Sequence, residues 1–246
     1  VTGHLSTGTE SRAAAPAGPH GGGRVATAGP PPAEAEGAIV LVHGRGATAE
    51  SILTLVPELG RRDLAALAPQ AAEDSPYPRS WYPQSFLAPI RDNEPGFSSG
   101  LAVLAGLVEQ LEAEGVPPER TFLLGFSQGA CLAAELVARH PRRYAGVALL
   151  TGGLLGPPGT PRSYPGSLDG TPIFLGSGDP DPHVPWPRVE ETAAIFEQMG
   201  ADVTLRRYPG RPHTVSRDEI DRVRALFGGS GGAIGSASSR RRSRVQ

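Results

Sequence analysis

Residues 123–135 read LLGFSQGACLAAE. An apolar run reaches Gly125, Ser127 stands between Gly125 and Gly129, and an alanine-rich helical stretch follows. A sharp strand-to-helix turn forces its central residue into a strained backbone conformation and lifts that side chain above the sheet. The residues two positions away on either side must then be small. The helix that follows points its positive end and its free N–H groups back at the serine. These types at this spacing fit a nucleophilic serine. The competing reading is a glycine-rich turn whose serine only caps a helix.

A serine hydroxyl is a weak nucleophile. It needs a base, a carboxylate to orient that base, and donors for the oxyanion. In a turn of this kind the partners follow in the order Ser, Asp or Glu, His. His140, His183 and His213 lie after Ser127. His140 ends the helix that begins at the turn, which puts it far from Ser127. His183 belongs to the loop that carries the acid candidates. His213, in YPGRPHT, follows the last strand and is the expected base. Asp179 and Asp181, in GSGDPDPHVP, qualify equally by spacing as the acid, and the prolines around them stiffen that loop. One oxyanion donor is expected from the backbone N–H of Gln128. The other is expected from Arg45, in HGRGA (43–47) after the run AIVLV. His43 reads as a residue that shapes this loop. The Arg45 side chain reads as solvated or salt-bridged, with contact to an anionic substrate as the alternative.

These groups must be held by a scaffold, and the pattern supplies one. AIVLVHG (38–44), LAALAP (64–69), RTFLLG, YAGVALLTG, TPIFLGSG and ADVTLRRYPG read as strands, mostly continuous apolar runs of the kind found in buried parallel sheets. TAESILTLVPELG reads as a helix with Ile52, Leu53, Val56 and Leu59 on one side. Further helices are expected over roughly 97–114, capped near Ser98 or Ser99, and over QGACLAAELVARH, PRVEETAAIFEQMG and VSRDEIDRVRALFG. Residues 24–37 suggest a short edge hairpin. The stretch QAAEDSPYPRSWYPQSFLAPIRDNEPGF is too long for a simple connection, which points to a functional or mobile loop. Alternation of this kind implies a mostly parallel central sheet with helices on both faces, its site at the carboxyl ends of the strands.

The 246 residues suffice for one such domain. Residues 1–18 and 229–246 are rich in Gly, Ser, Ala, Pro or Arg and read as disordered tails flanking a domain over 19–228. A formal charge of −2 gives no field drawing the chain to nucleic acid or anionic membrane. All basic residues are arginine, a compositional bias and not a functional sign. Cys131 is the only cysteine, so no intramolecular disulfide can form. It reads as a small buried side chain. No run of about 18 apolar residues marks a membrane span, and the first residues lack the apolar core of a secretory signal. A cytoplasmic protein is expected.

LVHGRGA, APQ, SWYPQSF, GFSQGA, DPDPHVP and YPGRPHT occur in an order that resembles the phospholipase/carboxylesterase family of α/β-hydrolases, which includes acyl-protein thioesterases and bacterial carboxylesterases. The resemblance implies an α/β-hydrolase fold and carries Ser127 and His213 over as nucleophile and base. Its acid precedes a P-x-V-P turn, which selects Asp181. It implies no cofactor and no metal, a small-molecule ester substrate, no stable membrane insertion, and is compatible with a homodimer. HGRGA and GFSQGA depart from the HGLGD and GFSQGG of thioesterase members, which points away from action on lipidated proteins. SWYPQSF with NEP looks more like bacterial carboxylesterases, and in that reading Trp81, Tyr82 and Phe86 line an acyl or aryl pocket. Esters with small or medium acyl or aryl groups are therefore the expected substrates. Long-chain lysophospholipase or thioesterase action is the alternative. From other classes, a non-catalytic binding module and nucleic-acid binding through RRRSR (240–244) remain to be weighed.

Overall fold

The computed structural model describes residues 18–73 and 76–228. The expected tails, apart from Gly18, lie outside the described residues. Seven strands form one sheet: β1 (Val25–Ala28), β2 (Gly37–Val42), β3 (Leu64–Pro69), β4 (Thr121–Phe126), β5 (Gly146–Leu150), β6 (Pro172–Asp179) and β7 (Asp202–Pro209). Their order is β1-β3-β2-β4-β5-β6-β7, and every pairing is parallel except β1 with β3.

The central strands are apolar throughout because both faces are covered. Alternate residues of β2 serve opposite sides. Ala38, Val40 and Val42 join a core with Leu123, Val147, Leu149 and Leu175. That core is covered by α3 (Gly96–Ala113), α4 (Gln128–Arg139) and α5 (Trp186–Gln198). Ile39 and Leu41 join Leu124, Ala148, Leu150 and Phe174 on the other face. There they meet Ile52 of α1 (Ala49–Leu53), Leu59 of α2 (Val56–Leu59) and Val223 of α6 (Arg217–Leu226). β7 lies at the sheet edge and alternates between half-buried and exposed residues, as an edge strand does.

Three local expectations need correction. The helix over TAESILTLVPELG is two short helices, because Pro57 has no N–H for an α-helical bond and falls instead in the first turn of α2, where none is needed. The 24–37 segment forms no hairpin. β1 pairs antiparallel with β3, and the following prolines, which cannot donate to a ladder, enter a 3-10 turn at Pro32–Glu34. Helix α3 begins at Gly96 with Pro95 at its cap, so Ser98 and Ser99 lie inside the first turn. Ser98 bonds the Glu94 side chain, while Ser99 Oγ accepts the N–H of His20.

Candidate active site

Ser127 joins β4 to α4 with φ 54° and ψ −119°, a conformation costing on the order of 1–3 kcal/mol for a residue with a side chain. The surroundings hold it there: its N–H donates to the Leu150 carbonyl at 2.9 Å and its carbonyl accepts from Cys131 at 3.0 Å. The flanking glycines are sterically required. A Cβ on Gly125 would lie 2.5 Å from the Gly129 carbonyl oxygen, and one on Gly129 would overlap the Val42 carbonyl. The turn thus packs directly against the end of β2, where the HGRGA loop begins.

Three strand ends converge above this point. His213, after β7, places Nε2 2.8 Å from Ser127 Oγ, and its Nδ1 lies 2.9 Å from Asp181 Oδ2. With the proton on Nδ1, the ring donates to the carboxylate and accepts the serine hydroxyl. Asp181 Oδ1 accepts the N–H groups of His183 at 2.9 Å and Val184 at 2.8 Å. The Asp181 side chain has no exposed surface, whereas His213 keeps 20% of its own. Burial pushes the Asp181 carboxyl upward, but the two backbone N–H groups and His213 together hold it below the usual carboxylate range. Asp179, equal to Asp181 by spacing, instead bonds Arg207 across the β6–β7 pair. His183 is exposed and packs edge-on against the His213 ring at 4.9 Å. His140 caps the far end of α4.

The oxyanion candidates flank the serine. Gln128 opens α4, so its N–H is one of the first-turn donors without an intrahelical acceptor. The Arg45 N–H has no acceptor among the described residues, and a Cβ on the neighbouring Gly44 would lie 3.4 Å from Ser127 Cβ. The Arg45 side chain is exposed, one of the two expected alternatives, and forms no salt bridge among the described residues. Its guanidinium donates to the carbonyls of Tyr82, Pro83 and Gln84.

A cleft of about 660 Å³ opens onto Ser127 and His213, lined by Tyr82, Phe86, Leu87, Cys131 and Val184 among others. Tyr82 and Phe86 stand in its wall as expected, and Trp81 does not. Trp81 is fully buried beneath the loop, its Nε1–H donating to the His43 carbonyl at 2.9 Å. Its indole is amphipathic, and the buried His43 carbonyl offers the acceptor that solvent would otherwise supply. Cys131 also lines the cleft. Burial pushes its thiol to about 11, so it stays protonated at neutral pH.

The long irregular segment is fastened by polar side chains, only some of which stood out in the sequence. Gln128 Oε1 accepts the Trp81 N–H and its Nε2 donates to the Tyr82 carbonyl, both at 2.8 Å. Buried Asn93 spans Gln84 N–H and the Ser85 carbonyl. His20 and His43 each pack against Trp81 at 5.2 Å and accept the N–H groups of Ala72 and Ala71. Burial holds both imidazoles below their ordinary pKa, and their neutral form is the one these bonds require. In the sequence, Gln128 stood out for its backbone N–H and His43 as a loop-shaping residue, whereas His20 and Asn93 carried no signal.

A hydroxyl on a strained turn, bonded to an imidazole that is itself bonded to a carboxylate, can lose its proton as it attacks a carbonyl carbon. Among the described residues no helix is long and apolar enough to cross a membrane, and no group of three or more His, Cys, Asp or Glu side chains is arranged to hold a metal ion.

Comparison with known proteins bears on the same residues. The family model for phospholipase/carboxylesterase matches residues 26–227. An acyl-protein thioesterase 1 of Debaryomyces hansenii is 30% identical over 127 residues, covering 51% of this chain and 55% of that protein. A probable carboxylesterase of Oryza sativa subsp. japonica is 29% identical over 147 residues, covering 57% and 54%. The matched region thus spans about half the length of these two relatives. Among solved structures, a phospholipase/carboxylesterase from Dyadobacter fermentans aligns with a TM-score of 0.79 at 43% identity, covering 83% of this chain and 96% of that one.

Proposed function

The chain belongs to the phospholipase/carboxylesterase family of α/β-hydrolases, and from that premise we propose that it is a serine hydrolase of carboxylic esters with small or medium acyl or aryl groups. The observation that carries this reading is the unbroken hydrogen-bonded path from Ser127 Oγ through His213 to Asp181.

In the proposed mechanism His213 Nε2 takes the Ser127 proton as Oγ attacks the ester carbonyl. The N–H groups of Gln128 and Arg45 receive the charge that develops on the carbonyl oxygen. Asp181 holds the imidazole in the tautomer that accepts from serine and stabilises the imidazolium that forms. Collapse of the tetrahedral intermediate breaks the carbon–oxygen bond to the alcohol, which His213 protonates. Water, deprotonated by the same ring, then cleaves the acyl-enzyme and frees the acid and the serine.

The cleft supports the size preference. Its lining comes from the strand ends and their loops, the start of α4 and residues 82–87, with none from 153–168, so it does not continue as a groove beneath that segment. Leu154 and Leu155 are fully buried there, and Gly156 N–H bonds the Phe86 carbonyl at 2.7 Å. That bond ties the Phe86 stretch of the cleft wall to the 153–156 segment. Hydrolysis of p-nitrophenyl esters from acetate to palmitate tests the reading. It expects an optimum at short or medium acyl length that is absent in Ser127→Ala. An optimum at palmitate would favour long-chain lipid substrates instead.

A further inference from the structure

Arg45 sits in the turn after β2, beside Ser127, and lines the same cleft. Its guanidinium is fixed by backbone carbonyls: Nη1 donates to Pro83 at 2.9 Å, and Nη2 to Tyr82 at 3.0 Å and Gln84 at 2.7 Å. Carbonyls satisfy N–H donors without cancelling the charge. Several other arginines are charge-paired instead, although Arg120 and Arg143 are likewise held by backbone carbonyls away from the cleft. Arg61, Arg139, Arg162, Arg188, Arg207 and Arg211 each pair with a carboxylate. Arg45 has no such partner among the described residues, yet it is exposed and held in one place.

The rest of the cleft leaves that charge uncompensated. The ionisable side chains lining it are Arg45, Tyr82, Cys131, His183 and His213, with no Asp or Glu among them. Tyr82 and Cys131 are kept neutral by burial. The histidines are neutral or positive, never negative. Asp181 lies beneath His213, its side chain fully buried and its oxygens occupied by His213, His183 and Val184. Of the five guanidinium N–H donors, three are used, leaving Nε–H and one on Nη1 for a ligand. A cation already immobilised by its own loop binds an anion without a further ordering cost.

We propose that Arg45 makes this protein selective for esters that carry a second, anionic carboxylate: half-esters of dicarboxylic acids, or esters of hydroxy acids. The carboxylate docks on the Arg45 guanidinium while the ester carbonyl lies against Ser127 Oγ. This rests on the esterase reading given above and names the substrate class for the same site.

Two matched pairs of esters test it: monomethyl against dimethyl glutarate, with the charge on the acyl side, and 4-acetoxybenzoate against phenyl acetate, with the charge on the leaving side. The quantity read is the ratio of kcat/KM for the charged member to that for the neutral member, in wild type, Arg45→Gln and Arg45→Lys. Loosening of the 82–84 loop lowers both members of a pair together and cancels in the ratio. We expect Arg45→Gln to lower the ratio about tenfold in at least one pair and Arg45→Lys to restore most of it. A ratio that Arg45→Gln leaves unchanged in both pairs overturns the assignment while leaving the esterase reading intact. Hydrolysis of none of the four esters counts against the esterase reading itself. Calorimetric binding of monomethyl glutarate to Ser127→Ala, with and without Arg45→Gln, then still decides the anion site: equal affinity in the two proteins overturns it.

Discussion

The side chain of Gln128 is bound to the backbone of Tyr82, 46 residues earlier in the chain, with Nε2 donating to the Tyr82 carbonyl at 2.8 Å. The residue proposed to donate its N–H to the oxyanion therefore also fastens the loop that forms the cleft wall. Its Oε1 completes the clasp by accepting from Trp81. Replacing Gln128 with Ala keeps the backbone donor but leaves the buried Trp81 N–H without a partner and the Tyr82 carbonyl with Arg45 alone, at a cost of about 1–3 kcal/mol. We expect the melting temperature to fall by several degrees and KM to rise more than kcat falls. Denaturant unfolding beside steady-state kinetics measures both.

The three members of the hydrogen-bonded path should be unequal in their effects. Ser127→Ala and His213→Ala are expected to lose roughly 10⁴-fold or more in kcat, with Asp181→Ala less severe by about 10- to 100-fold, because the ring can still accept a proton without its orienting partner. Asp179→Ala, which breaks only the exposed pair with Arg207, is expected to change kcat less than about threefold. Single-turnover kinetics of the four proteins on one p-nitrophenyl ester checks the order.

Phe86 lines the cleft, and shortening it should lengthen the accepted chain. Phe86→Ala is expected to raise kcat/KM for p-nitrophenyl octanoate relative to butyrate by about tenfold. An unchanged ratio would mean the acyl chain takes another path.

The pair of buried histidines around Trp81 predicts a stability that depends on pH. Burial lowers the pKa of His20 and His43 in the folded protein relative to the unfolded chain. Below the unfolded value near 6.5 the unfolded chain binds more protons, so stability is fully present above about pH 6.5 and falls as the pH drops beneath it. Replacing His20 with Gln, whose amide offers a donor and an acceptor without titrating, should reduce the loss of melting temperature between pH 7 and 5. Thermal unfolding at a series of pH values in both proteins makes the comparison.

Much of this site could be read from residue order, and the parts that could not share a physical cause. The Ser127 turn was legible because its two glycines answer a local steric demand, seen in the Gly129 Cβ that would overlap Val42. The position of His213 was legible because a partner for Ser127 is expected after the last strand, and there its Nε2 lies 2.8 Å from Ser127 Oγ. The structure pairs Asp179 with Arg207 and brings Asp181 to His213, a difference that spacing does not carry because both residues end the same strand loop. Trp81 and Tyr82 are adjacent aromatics, yet one packs under the loop and the other faces the cleft. Their placement follows from partners distant in sequence, the His43 carbonyl and the Gln128 side chain. The carbonyl partners of the exposed Arg45 side chain went unread for the same reason: they lie 37 to 39 residues away, where no sequence pattern marks them.

The central claim is that Ser127 is the activated nucleophile. Brief exposure of the folded protein to a fluorophosphonate, followed by peptide mass spectrometry, tests it most directly. One adduct per chain on the peptide carrying Ser127, absent in Ser127→Ala and strongly slowed in His213→Ala, is the predicted result. No adduct on folded protein, or an adduct that persists on another residue in Ser127→Ala, would contradict it.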